Sequence, residues 1–116
     1  MKVKHYKDVE KIEANTDGAK GASLRWVLGP DDEVPNFHMR VVEIEPGGQS
    51  MHHSHPYEHE CYILEGEGEL VGEGKTLELK PGNAAYVAPD EIHHFQNVGD
   101  TTFKFICMVP NLEKKD

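Results

Sequence analysis

The chain has 116 residues, enough for one compact domain over 1–116 with a core of its own and too few for two. With 37% hydrophobic and 28% charged residues it has the balance of a globular chain, not of a disordered one. Its net charge of −9 argues against nucleic acid or an anionic membrane as a partner, since both are bound by neutralising phosphates, and no apolar run approaches the roughly 20 residues of a membrane span.

The first segment, MKVKHYKDVEKIEA (1–14), is charged throughout and lacks the apolar stretch of a signal peptide, so a cytoplasmic location is expected. Within it, DVEKIEA is the one stretch that reads as a helical turn. From Ser23 onward, runs rich in β-branched and aromatic residues alternate with Gly and Pro signals. They are SLRWVL (23–28), NFHMRVVEIE (36–45), HECYILEG (59–66), GELVG (68–72), TLELK (76–80), AAYVA (84–88), HFQNV (94–98) and TTFKFICMV (101–109). LGP (28–30), EPGG (45–48) and KPG (80–82) are among the turn signals. Short strands at this spacing predict an all-β sandwich or barrel. On the last run Phe103, Phe105, Cys107 and Val109 share one face, and Ile106 and Met108 lie on the other beside Thr102 and Lys104. Such a strand is covered on both sides, either by sandwich packing or by a subunit interface. NLEKKD (111–116) reads as a frayed tail. The two cysteines, Cys61 and Cys107, are expected to be buried and reduced.

HHSHPYEH (52–59) holds four histidines in eight residues, and a further pair stands at 93–94. Clustered imidazoles are uncommon as core fillers and common as ligands of first-row transition metals. On an extended strand His53, His55 and His59 have one parity, about 6.6 Å apart per two residues, and the turn-prone SHPYE bends that strand toward convergence. His52, Glu58 and Glu60 have the opposite parity.

At these positions the chain resembles the cupins. Gly47, His53, His55 and Gly66 have the spacing of their first motif, and GNAAYVAPDEIHHFQN (82–97) approximates the second, with His93 and Asn97 closing it. Two departures stand out. Ala88, Pro89 and Asp90 replace an ordered Pro-x-Gly, and His59 occupies the place where most of the family has Glu. Glu60 is the rival third ligand, but it leaves one residue too few before Gly66 and has the wrong parity. The resemblance covers roughly residues 40–109. It implies a double-stranded β-helix, a jelly-roll-like barrel, with the metal inside and often a homodimer.

By that resemblance His53, His55, His59 and His93 are the ligands of one divalent transition metal, which can be Mn, Fe, Co, Ni, Cu or Zn. Four neutral imidazoles leave the ion its full +2 charge, and a roughly octahedral ion keeps two positions open. The function expected from this is a metal-dependent oxidoreductase, dioxygenase-like, acting on a small organic molecule. The alternatives are a Lewis-acid isomerase or hydrolase and a non-catalytic binding or sensor module. Loss of the metal is expected below about pH 6, near the pKa of free histidine. The last strand of the family contributes to the cavity wall, which brings Phe105 and Cys107 near the metal, with ordinary core filling as the other reading. Arg40 pairs either a substrate carboxylate or a nearby Glu. Tyr57 and Met51 flank the ligand run. His5 and His38 carry no motif, His94 reads as surface or structural, His52 reads the same way or as a group supporting the ligands from behind, and no side chain stands out as a catalytic acid or base.

Overall fold

The computed structural model describes residues 1–15 and 17–113. Its strands are β1 (Ile12–Glu13), β2 (Lys20–Leu28), β3 (Phe37–Gln49), β4 (His59–Glu65), β5 (Gly68–Gly72), β6 (Lys75–Leu79), β7 (Ala84–Val87), β8 (His94–Asn97) and β9 (Phe103–Pro110). Each of β2–β9 overlaps one of the runs read from the sequence. They form one curled antiparallel sheet in the order β6-β5-β8-β3-β9-β4-β7, with β2 paired to β3 and β1 to β2. This is the all-β cupin architecture that the motifs implied. Among the described residues no helix is long and apolar enough to cross a membrane.

Three local expectations are corrected. DVEKIEA is not helical. A short 3-10 turn occupies Tyr6–Asp8, and Ile12 and Glu13 instead pair with Leu24 and Ser23. A seven-residue helix is too short to sustain itself, whereas β2 offers an open edge to pair with. EPGG does not end its strand: β3 continues to Gln49 through a bulge, the register passing from Ala22↔Ile44 to Lys20↔Gln49. Gly47 makes the bulge possible with φ +79°, a conformation open to Gly without steric cost. Finally, the NLEKKD tail begins docked. The Asn111 N–H donates to the Asn36 carbonyl at 2.9 Å and its Nδ2 to the Val34 carbonyl at 3.0 Å, while residues 114–116 lie outside the described residues.

Strand parity places the core. Phe103, Phe105, Cys107 and Val109 are all buried, and Ile44, Ile63 and Val87 close the same inner face. Direct register partners build rows across it. One row runs Trp26, Arg40, Cys107, Cys61, Ala85, and the next begins Leu24, Val42, Phe105, Ile63. The other face of β9 is half-buried. Part of its cover is the chain's own N-terminal segment. Arg25 Nη1 donates to the carbonyls of Tyr6, Lys7 and Val9, and Lys104 Nζ donates to the Tyr6 hydroxyl.

Candidate metal centre

His53 and His55 lie on the loop between β3 and β4, not on a continuous extended strand, and His93 precedes β8. What brings them together is an isolated bridge, in which His53 N–H donates to the His93 carbonyl at 3.0 Å and His93 N–H to the His53 carbonyl at 2.9 Å. One imidazole nitrogen from each of His53, His55 and His93 falls within 4.8 Å of the others, so these three histidines are placed to hold a metal ion. His59, the first residue of β4, lies against them. Its Nε2 is 2.9 Å from His55 Nε2 and its ring centroid 5.2 Å from that of His93. Glu60 turns the other way, to the exposed side of β4.

The rings are oriented from behind. His55 Nδ1 donates to the Tyr57 carbonyl at 2.7 Å, and His93 Nδ1 to the Glu91 carbonyl at 2.8 Å. A carbonyl only accepts, so both protons sit on Nδ1 and both Nε2 atoms present lone pairs, the arrangement of metal-ligating histidines. The Tyr57 ring stacks on His55 at 3.9 Å. Asp90 N–H grips the His55 carbonyl at 2.7 Å. Asp90 stands at φ +64°, the conformation expected of the glycine it replaces in the second motif.

These contacts decide whether the donor set fits a cation. With its Nδ1 proton committed to Tyr57, neutral His55 can only accept at Nε2. The 2.9 Å contact with His59 Nε2 is therefore made either by a proton on His59 or by a cation taken between two lone pairs. Both ligands at right angles on one ion, with bonds of about 2.1 Å, would lie about 3.0 Å apart. The set fits. Burial, reinforced by the neighbouring imidazoles and Arg40, pushes His53 below the ordinary histidine range; burial does the same to His55, opposed by its bond to Tyr57. Burial also takes His93 down to about 4. All three are thus held neutral, as ligation requires.

Behind His59 lies a polar cluster. Cys107 Sγ is 3.3 Å from His59 Nδ1, and Arg40 Nη2 donates to that sulfur at 3.0 Å. The Cys61 thiol hydrogen-bonds Cys107. This contact, opposed by burial and aided by His59 and Arg40, holds Cys107 well below the usual thiol range, while the same contact and burial push Cys61 up. Both cysteines are free, as expected. The Arg40 guanidinium sits 5.3 Å from the Trp26 ring centroid.

His53, His59, His93, Arg40, Phe105 and Cys107 line one cavity of about 230 Å³, together with Met51. The sequence gives no role to Trp26 beneath Arg40 or to Asp90 beneath His55. Asp90 was legible only as a motif departure, and Trp26 becomes relevant only through its register with Arg40. His52 and His94 face each other outside the bridge, Nδ1 to Nδ1 2.6 Å, while His38 packs edge-on against Trp26 and His5 caps the Tyr6–Asp8 turn.

The Cupin_2 cupin-domain model matches residues 40–109. The chain is 31% identical over 110 residues to the polyketide synthase CurC of Streptomyces cyaneus, covering 93% of this chain and 70% of that protein. It is 32% identical over 69 residues to an oxalate-binding protein of Thermotoga maritima, covering 59% of this chain and 57% of that protein. Among solved structures, the polyketide cyclase RemF from Streptomyces resistomycificus superposes with a TM-score of 0.87 at 33% identity, covering 95% of this chain and 79% of that one.

Proposed function

This chain belongs to the cupin family, and from that premise we propose that it binds one divalent transition-metal ion through His53, His55, His59 and His93 and acts on a small organic molecule held beside it in the cavity. The observation that carries the reading is the pair of inward Nε2 lone pairs on His55 and His93, each set by a backbone carbonyl behind it. His59 joins the set because its Nε2 meets that of His55 at 2.9 Å. Bound there, the ion would supply Lewis acidity toward a substrate oxygen or, if redox-active, a route for electrons. The chain's own part is to hold the four rings in place, to present Arg40 and Cys107 behind His59, and to keep water off one wall with Phe95 and Phe105.

Lewis-acid chemistry on a carbonyl or enol oxygen is the first reading, supported by the likeness to proteins named as a polyketide cyclase and a polyketide synthase. The oxidoreductase reading is the second, supported by an all-imidazole donor set that suits Mn, Fe and Cu. The proposal takes the chain as one domain working as a homodimer; Tyr62, Leu64, Leu77 and Tyr86 leave exposed apolar surface for a partner copy. Elemental analysis of protein purified without chelator tests it. About one ion per chain is expected, lost in His55→Ala and His93→Ala and weakened in His59→Ala. An unchanged metal content in all three variants would sink it. A redox-inert native ion decides for the Lewis-acid reading.

A further inference from the structure

The cavity differs in charge from the rest of the molecule. The chain carries 21 acidic residues and a net charge of −9, yet no carboxylate lines the cavity among the described residues. One guanidinium does. Arg40 makes no ion pair with a carboxylate among the described residues, and its Nε is buried without a hydrogen-bond partner. Its hydrogen bond to Cys107 Sγ uses Nη2, and the same nitrogen stands 3.5 Å from His59 Nδ1. Even with Cys107 as a thiolate, one negative charge only balances Arg40, and a divalent ion on neutral histidines adds two positive charges. Leu24, Val42, Met51, Phe95 and Phe105 make most of the remaining wall apolar, with Ser23 and Ser50 among its other residues. A buried, unpaired N–H donor on a cationic group is costly unless something fills it.

We propose that Arg40 is the recognition group for an organic oxyanion with an apolar body, a carboxylate or an enolate, which pairs with the guanidinium through donors not taken by Cys107 and His59 while its apolar part lies on Phe95 and Phe105. Any reaction of the bound anion rests on the metal-site reading, but binding itself does not. Guanidinium donates paired N–H groups to an oxyanion in a geometry that an ammonium cannot reproduce. Trp26 holds the group from the opposite strand, so the fork is positioned before the ligand arrives.

The test uses titration calorimetry with two pairs of probes, benzoate against benzamide and 4-nitrophenolate against 4-nitroanisole, at mildly alkaline pH. Each is run on metal-loaded and chelator-treated protein. At least one anion is expected to bind more than about tenfold tighter than its neutral counterpart, and the better of the two assigns the carboxylate or the enolate class. Arg40→Met is expected to erase that preference and Arg40→Lys to restore part of it, with metal content unchanged in both. Equal binding of anion and neutral probe by the wild-type chain, a preference surviving in Arg40→Met, or no binding of either anion overturns the proposal. The wild-type comparison stands even if a variant fails to fold. A metal-loaded protein without anion preference leaves the metal reading intact and removes this one. Anion preference in a chain that takes up no metal does the reverse.

Discussion

Two residues of one motif have different settings, His93 in the candidate metal centre and Asn97 in the architecture. His93 opens the His-x-x-x-Asn element and is 3% exposed. Its imidazole titrates near 4 in the folded chain against about 6.5 when free. Between those values the unfolded state binds more protons, so stability falls as pH is lowered through that window. Metal-free protein is therefore expected to be most stable above about pH 6.5 and to lose His93's contribution progressively toward pH 4, checked by denaturant titrations across the range. Acid release of a bound ion is expected below the pH of about 6 that free imidazole suggested, because burial already disfavours the proton. Asn97 closes the element with a different task. Its Nδ2 donates to the Ile44 and Thr101 carbonyls and its Oδ1 accepts from Gly99 N–H, all at 2.8 Å. Asn97→Ala should cost about 2–3 kcal/mol in equilibrium unfolding by stranding those groups, with the metal stoichiometry of the folded protein retained.

At the scale of elements, the site is assembled from strand ends and the loops between them. β9 lies between β3 and β4, and its odd-numbered face supplies Phe105 and Cys107 to the cavity while β3 supplies Arg40 and β4 supplies His59. Turns that return these strands to register therefore matter as much as the candidate ligands. Gly66 ends β4 at φ +83°, and a Cβ there would stand 2.4 Å from the Thr102 carbonyl oxygen and 2.9 Å from Phe103 Cα. Gly74, at φ +63°, has open space around the same position. Gly74→Ala should cost about 1 kcal/mol from backbone strain alone, and Gly66→Ala clearly more, since backbone atoms must move. Paired thermal melts measure the difference; equal losses would mean the β4–β5 turn yields without disturbing Phe103.

For the molecule as a whole, the curled sheet gathers residues distant in sequence around one interior space in an otherwise acidic particle. A ligand bound to the folded state alone shifts the whole unfolding equilibrium. At a free-ion concentration about a hundred times its dissociation constant, the metal should add about 2.7 kcal/mol and raise Tm by about 10 °C. Chelator should reverse the shift, and His93→Ala should show none of it. Scanning calorimetry of the wild type and that variant, each with and without added ion, gives the answer. With the carboxylates on the exterior, Arg40 faces the cavity with no carboxylate partner among the described residues, and the proposed preference of the cavity for an anion belongs to this scale.

The sequence by itself determined the strand runs, the inward parity of β9 and the candidate histidines, because alternation with period two and short-range spacing are local properties of a chain. It also favoured His59 over Glu60 by parity and by the spacing to Gly66, and the structure buries the one and exposes the other. Tertiary structure decided what depends on pairing between distant segments. The His53–His93 bridge, the carbonyls that turn His55 and His93 inward, the bulge that carries β3 through EPGG, and the β1 pairing that displaced a helical turn all arise from partners that a linear reading does not place side by side. Arg40 is the clearest case. Its sequence neighbours left a surface pair and a buried anion site equally open. The row through Trp26, Cys107 and Cys61 puts the guanidinium inside, where no carboxylate lines the cavity with it.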